Sequence, residues 1–465
     1  MILNETELIK KMKPFQYQKE GVWRLEKFNG RAFLADEMGL GKTMQVLWFL
    51  KRKKIHTLPA IIVCPAAVKF TWEYHARIHA HLNSMMCEGR QPPEQLIDIP
   101  SLILINYDLI HYWERWLEKI KYTTIVFDES TRLGNPRTKR TKTAIRLARR
   151  AKNVIGMSGT GLNNRPIELW PTLNAIRPDL FPNRHAFGQK FCKGKMSPWG
   201  WEYKGATKTK ELHQILQQNM MIRRTKKEVL KDLPPKTRRI IPCEMDDKKD
   251  YEHAKNNFLS WLQKHQPGRV LTASKAEQIS KLGYLLRLVA KNKLASVIDW
   301  TNQFLAETDE KIILFGIHKE TIKTLDEKIN EKHVVINGST PAEKRKQAED
   351  IFNNQKEVRV LIGNLHAAGI GINLQSASAV GITELSWRPA DFTQAEDRAH
   401  RLGQKNPTTC YYFVVPGTIE ETLCSLLQNK QKTISKILDG GEQEDDIDIF
   451  DRLIEECMTS DEAVQ

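Results

Sequence analysis

The chain has 465 residues, 40% of them hydrophobic and 28% charged, and a net charge of +16. That length supports two or three domains with proper cores, and no apolar run approaches the roughly 18 residues a membrane span needs. The seven cysteines are scattered and form no Cys-x-x-Cys pair, which argues against a zinc site and a disulfide framework and for a reducing, intracellular setting. The N-terminus shows no basic stretch followed by an apolar one, so no signal peptide is expected. Charge is placed unevenly. Residues 442–465 hold ten acids against one base, Arg452, so this tail carries −9 and the rest of the chain +25. A body so basic suggests a polyanionic partner, most simply nucleic acid. A solubility surplus of Lys and Arg is the plain alternative.

In chain order, the first informative stretch joins a short apolar strand, Arg31–Leu34, to an apolar-periodic helix over Met44–Leu50. Between them lies Ala35-Asp36-Glu37-Met38-Gly39-Leu40-Gly41-Lys42-Thr43. Glycines let backbone N–H groups turn inward around a phosphate. The helix N-terminus adds positive field, the Lys42 ammonium reaches the outer phosphates, and the Thr43 hydroxyl suits Mg²⁺. Asp36 stands where the strict phosphate-loop pattern wants glycine, a form found in nucleic-acid helicases and translocases.

Strand signals follow over Ala60–Cys64, Leu102–Tyr107, Thr123–Phe127 and Val154–Met157, alternating with helical patterns. Ligands of an open parallel sheet bind beyond the carboxyl ends of its strands. Asp128 and Glu129 fall there directly after Phe127. Asp128 is placed to hold Mg²⁺, and Glu129 to orient and deprotonate an attacking water. After the next strand come Ser158-Gly159-Thr160, which can bond the acid pair or form an ordinary strand-to-helix turn. The basic run from Arg132 to Lys152 fits either phosphate contacts without sequence readout or a solvated helix.

Residues 181–290 read differently, as a mainly helical insertion and linker. Phe187, Phe191, Trp199 and Trp201 mark a loop, Glu211–Met221 and Tyr251–Lys264 are helical, and Leu233-Pro234-Pro235-Lys236 reads as a stiff joint. A second α/β set has strand signals at Lys311–Phe315, Val334–Asn337, Val358–Ile362 and Cys410–Val415. Its small-residue stretch, Gly363-Asn364 and Gly369-Ile370-Gly371-Ile372-Asn373, can approach a phosphate closely. In Gln394–Gln404, Arg398 and Arg401 sit three apart, on one helical face. The alternation predicts parallel sheets covered by helices, in two α/β domains. The boundaries expected are 1–180, 181–290, 291–438 and an acidic tail, 439–465. The tail is read as a solvated end, a partner-docking segment or a competitor of DNA.

Taken together and in order, these residues resemble the superfamily-two helicase-like ATPases, specifically the Swi/Snf-type double-stranded DNA translocases. The resemblance covers about 15–435. It rests on Gln18–Val22, Asp36–Thr43, Cys64–Lys69, Asp128-Glu129, Ser158–Thr160, Gly369–Asn373, Trp387-Arg388-Pro389 and, most specifically, Gln394-Ala-Glu-Asp-Arg-Ala-His-Arg-Leu-Gly-Gln404. Met221–Lys226, Gly338–Thr340 and Phe187–Trp201 bring it nearest the annealing-helicase-like subgroup.

The resemblance implies two RecA-like lobes with ATP and Mg²⁺ between them and duplex or branched DNA across both. It implies that Gln18, Asp36 to Thr43, Gly371, Arg398 and Arg401 hold ATP, and that Lys42, Asp128, Glu129, Arg398 and Arg401 carry hydrolysis. Thr43 and Asp128 would hold the metal. Lys69, Ser158, Gly159, Thr160, Asn364, Trp387 and Gln394 would contact DNA or couple to it. Ser130 and Thr131 replace the Ala-His usual after the acids, and Gly161-Leu162-Asn163-Asn164 departs from the usual continuation of the Ser-Gly-Thr motif. Two other functions compete: a strand-separating helicase, and a catalytically silent DNA-binding scaffold.

Overall fold

The computed structural model describes residues 14–94, 98–159, 165–198, 200–264, 272–366, 372–424 and 427. The chain forms two compact units. Among the described residues the first ends at Lys231 and the second begins at Asp232.

The first unit is built on a seven-stranded parallel sheet. Its early elements are α1 (Gln16–Lys27), β1 (Arg31–Leu34), α2 (Lys42–Arg52), β2 (Ala60–Cys64), α3 (Lys69–His75), β3 (Ser84–Met86), β4 (Leu102–Asn106) and α4 (Ile110–Lys119). Then come β5 (Thr124–Phe127), α5 (Lys139–Arg150), β6 (Asn153–Met157), α6 (Trp170–Ile176) and α7 (Arg184–Phe191). A separate antiparallel hairpin, β7 (Lys195–Ser197) and β8 (Gly200–Glu202), precedes α8 (Thr209–Asn219) and β9 (Met221–Ile222). The strand order is β3-β4-β2-β5-β6-β1-β9. All residues of β2, β4, β5 and β6 are buried, as the uninterrupted apolar runs of a sheet covered on both faces require. Two apolar cores flank it. One holds Phe33, Ile103, Trp113 and Phe127, the other Leu34, Ile62, Trp72 and Val126.

Helices α4 and α5 show how the pattern folds locally. Helix α4 buries Ile110, Trp113 and Leu117, one stripe at helical spacing. In α5 the Thr138 hydroxyl caps the N-terminus by accepting from the Thr141 N–H, and Thr141, Ala144, Leu147 and Ala148 face the core. The outer arginines pair across: Arg140 with Asp108 at 3.5 Å, Arg146 with Glu114 at 2.5 Å and Arg150 with Glu118 at 3.5 Å. Part of the basic run is therefore committed to α4 and the turn before it. Arg137, Lys139, Lys142, Arg149 and Lys152 are exposed.

The second unit carries a six-stranded parallel sheet in the order β10-β15-β14-β11-β13-β12. Its strands are β10 (Lys236–Pro242), β11 (Ile312–Gly316), β12 (His333–Ile336), β13 (Val360–Asn364), β14 (Ala379–Ile382) and β15 (Thr408–Val414). Its helices are α9 (Lys249–Lys264), α10 (Thr272–Asn292), α11 (Leu294–Glu307), α12 (Lys319–Lys328), α13 (Ala342–Asn354) and α14 (Pro389–Ala399). The region 181–290 thus divides between the units, and its described residues contain four strands beside the helices. Tyr251–Lys264 falls within α9, and Glu211–Met221 divides between α8 and β9. The joint residue Lys236 opens β10.

Lys293 and Glu420 are both fully buried here, with Lys293 Nζ 2.6 Å from Glu420 Oε1 and 2.6 Å from the Phe413 carbonyl it donates to. The Val415 N–H donates to the other carboxylate oxygen at 3.2 Å. Each charge has its partners, so removing one alone strands the other in an apolar core. Lys293→Ala should cost the second unit about 3–5 kcal/mol, and Lys293→Met with Glu420→Leu should recover most of that. Urea unfolding of the three proteins, read by hydrogen exchange in β15, checks this.

Candidate nucleotide site

Three strand ends build the site in the first unit. In the order β5-β6-β1, the parallel strands release Asp128-Glu129, Ser158-Gly159 and the glycine turn side by side. Gly39 and Gly41 have φ of 82° and 71°, in the region open to glycine and costly for other residues. Gly41 caps the N-terminus of α2, and a Cβ there would lie 2.5 Å from the Gln18 Nε2. Gln18 is buried; its amide donates to the Leu40 carbonyl at 3.3 Å and accepts from the Phe15 N–H at 3.0 Å. It thereby ties α1 to the turn. Gly159 leaves room for Met38, whose Cγ a Cβ would meet at 2.2 Å. Ser158 is fully buried and Met38 nearly so.

Lys42 opens α2, with Nζ donating to the Asp36 and Glu37 carbonyls at 2.8 and 3.2 Å. Burial pushes its ammonium below the usual lysine value, and Glu129, Asp36 and Asp128 oppose that shift. Thr43 follows in the first turn, half-buried. The Asp128 carboxylate accepts from Trp72 Nε1 at 2.8 Å, and its carbonyl accepts from the Tyr107 hydroxyl at 2.8 Å. Burial raises the Asp128 carboxyl above the ordinary range, while the Trp72 hydrogen bond and Lys42 pull it down. Glu129 has φ 52° and ψ 55°, a left-handed backbone uncommon for a residue with a Cβ and concentrated at functional positions. Ser130, the departure after the acids, is buried, and its carbonyl accepts from Thr172 of α6 at 3.1 Å.

Asp36 does something the spacing does not reveal. Its side chain is fully buried and engaged by Arg224, through Nε at 2.9 Å and Nη2 at 2.5 Å, with Gln45 Nε2 at 3.0 Å. Arg224 also donates to the Gln45 Oε1 at 2.8 Å and to the Tyr17 carbonyl, and its guanidinium lies over the Tyr17 ring. The Glu37 N–H donates to the Arg224 carbonyl at 3.0 Å, and the Lys226 N–H to the Glu37 carboxylate at 2.6 Å. Asp36 and Glu37 therefore brace the turn through side chains rather than offering them to a phosphate. Lys69 also departs from expectation. It is buried and donates to the Cys87 carbonyl at 3.0 Å, so its ammonium is engaged by the fold.

In the second unit, Arg398 Nη1 and Arg401 Nη1 both reach the Ile372 carbonyl, at 3.1 and 3.5 Å. They do not share a helix face as expected. Helix α14 ends at Ala399, His400 leaves helical geometry with ψ 80°, and His400 Nε2 lies 2.9 Å from the Pro234 carbonyl. Burial lowers the Arg401 guanidinium, with Glu349 and Asp397 opposing. The neighbouring acids are structural. Glu396, fully buried, takes Lys236 Nζ at 2.9 Å, Arg238 Nε at 2.5 Å and the Tyr412 hydroxyl at 2.7 Å. Asp397 takes Lys236 at 3.1 Å. Gln394 offers its carbonyl to Arg398 at 3.3 Å, Asn364 donates to the Ile317 carbonyl at 2.6 Å, and Trp387 packs half-buried on the core. Thr160, Gly371 with its neighbours 369–370, and the acidic tail lie outside the described residues.

The residues missed from sequence are the supports: Gln45, Trp72, Tyr107, Arg224, Lys236 and Arg238. Arg224 has the clearest consequence. Arg224→Ala leaves Asp36 buried without its ion partner and should lower the stability of the first unit by about 3–5 kcal/mol. Urea unfolding, with hydrogen exchange followed in β1 and β9, measures it.

Two family models match the chain, the SNF2-related domain over residues 17–287 and the helicase conserved C-terminal domain over 292–403. A Caenorhabditis elegans protein, the SWI/SNF-related matrix-associated actin-dependent regulator of chromatin subfamily A-like protein 1 homolog, is 33% identical over 443 residues, covering 91% of this chain and 61% of the relative. The human DNA annealing helicase and endonuclease ZRANB3 is 27% identical over 455 residues, covering 93% and 41%. A solved Sulfolobus solfataricus SWI2/SNF2 ATPase core in complex with dsDNA is 24% identical over 93% of this chain and 94% of that one, with a TM-score of 0.43. The chain spans 61% of the nematode relative and 41% of the human one. With more than half its length inside the first model and a helicase C-terminal domain behind it, the chain belongs to the SNF2-related family.

Proposed function

We propose that this chain is a DNA-stimulated ATPase that translocates on double-stranded or branched DNA. One observation carries the reading: a glycine turn with Lys42 and an acid pair, Asp128-Glu129, stand at the carboxyl ends of parallel strands β1 and β5, with only β6 between them, in a family of helicase-type motors. The donor set fits a nucleotide triphosphate with Mg²⁺. Backbone N–H groups of the turn and the α2 N-terminus suit an anion, and Lys42 adds an ammonium beside them. Thr43 and Asp128 supply the hydroxyl and carboxylate oxygens a hard cation takes. Bound there, the metal would neutralise charge on the phosphates.

The chain's own groups account for the rest. Glu129 accepts the proton of the attacking water as its oxygen bonds to the terminal phosphorus, and the bond to the bridging oxygen breaks to release ADP. Lys42 steadies the charge that develops on those oxygens. Arg398 and Arg401 are the further residues that the resemblance assigns to hydrolysis.

The DNA assignment draws on the family, on the name of the human relative and on the chain's charge of +16. Nothing in the chain resembles a base-reading helix, so contacts to phosphates should dominate and weaken steeply with salt. The interleaved Ile447, Phe450 and Leu453 of the acidic segment 439–465 suit a protein partner. An intracellular, DNA-associated location follows from the same reading.

Steady-state ATPase with linear duplex, forked DNA, single strands and duplex RNA tests the proposal. Duplex or forked DNA should stimulate strongly. Lys42→Ala should abolish the rate, and Glu129→Gln should hold ATP without turning it over. A scaffold would keep its function in Lys42→Ala, and a strand-separating helicase would respond chiefly to single strands and unwind a tailed duplex. Trp72→Phe removes the hydrogen bond that lowers the Asp128 carboxyl. Since Asp128 must be ionised to hold the cation, the acid limb of the pH–rate profile should move to higher pH, with the alkaline side unchanged.

A further inference from the structure

The hairpin β7–β8 stands apart from both large sheets. Its register sets Met196 directly opposite Trp201, and directly paired residues project from the same face of a two-stranded ribbon. Both are open to solvent, Met196 at 69% and Trp201 at 44% exposure. Such an apolar pair on a narrow ribbon leaves surface open for an outside partner.

Trp201 is not loose. The His185 ring of α7 meets its ring edge-on, with centroids 4.7 Å apart. His185 Nδ1 is in turn 2.6 Å from the Tyr203 hydroxyl. Tyr203 is buried, and the Arg184 guanidinium sits over its ring at 5.1 Å. The indole is a fixed platform with one side supported and another open.

The surroundings select the partner. Residues 184–210 carry seven Lys and Arg against one acid, Glu202. Part of that charge is paired: Lys190 with Glu211 at 2.5 Å and Lys204 with Glu202 at 3.2 Å. Lys195, in the hairpin itself, is exposed. A polyanion answers the cations, and only a polyanion that also offers flat apolar faces answers Trp201 and Met196. Nucleic acid has both. In an intact duplex the base faces are stacked on one another. They become available where the strands part.

We infer that the β7–β8 hairpin is a stacking contact for unpaired nucleotides at a DNA branch point, with Trp201 as the platform and Met196 beside it. The inference rests on the proposed action on DNA and assigns part of its substrate choice to this hairpin. Fluorescence anisotropy without ATP, using labelled forked DNA, a single strand and a blunt duplex of equal length, tests it. Trp201→Ala should bind the fork and the single strand about tenfold more weakly, as loss of one base stack would give. Its binding to blunt duplex and its basal ATPase should stay at wild-type levels. Trp201→Phe should restore most of the lost affinity, and Met196→Ala should show a smaller loss of the same kind.

Unchanged fork affinity in Trp201→Ala overturns the inference, and so does an equal loss on all three DNAs. An acidic protein that competes for the hairpin while forked DNA does not would also overturn it. A wild-type chain whose ATPase ignores DNA would sink the translocase proposal separately, because the anisotropy contrast needs no turnover.

Discussion

The buried contact between Asp36 and Arg224 is the constraint on which the nucleotide site depends. A carboxylate and a guanidinium, both out of solvent, are joined by two hydrogen bonds. Desolvating the pair is costly, and what makes it tolerable is the completeness of the surroundings: Gln45 serves both partners and the Tyr17 carbonyl takes a further guanidinium proton. Four chain segments meet there: α1, the glycine turn, α2 and the stretch after β9. The turn is held by its neighbours and not by its own two glycines. A loop that binds phosphate must present its N–H groups in one geometry, and under the proposed function this cluster would supply that geometry in advance.

The second unit repeats the principle with different residues. Glu396 is surrounded by Lys236, Arg238 and Tyr412, which fastens α14 to the strand where the chain enters the unit. Lys293 and Glu420 do the same for α11 and the segment after β15. In both units the charged residues nearest the functional groups are spent on position, leaving a few to act. Glu129 shows what such support permits. Its left-handed backbone costs energy that Asp128, anchored by Trp72, Tyr107 and Val63, and Ser130, held by Thr172, are placed to sustain.

Much of this was legible in the chain. Continuous apolar runs gave β2, β4, β5, β6, β11 and β13 to within a residue or two, because buried parallel strands must be apolar throughout. The glycine turn and the acid pair were legible because phosphate chemistry restricts residue type. Other elements were not. Strand β9 has two residues, and β14 (Ala-Val-Gly-Ile) is too small-sided to stand out. Strand β10 reads Lys-Thr-Arg-Arg-Ile-Ile-Pro and hid inside a proline-rich joint. Lys69 and Asp36 carry the residue types of ligands but the burial of supports, and only the partners 18 and 188 positions away, Cys87 and Arg224, tell the two apart. Arg401 looked helical because three-residue spacing cannot report where a helix stops.

Strand β10 has one more consequence. Among the described residues it pairs with β15 on one side only, which makes it an edge strand of the sheet. Such an edge can recruit a strand from another molecule. Arg239 sets an exposed positive charge on the strand, and Pro242 ends it with no N–H to offer. The other edge strands, β3, β9 and β12, are two to four residues long, too short to template a partner. An exposed arginine and a closing proline thus guard the longest edge strand described in this sheet.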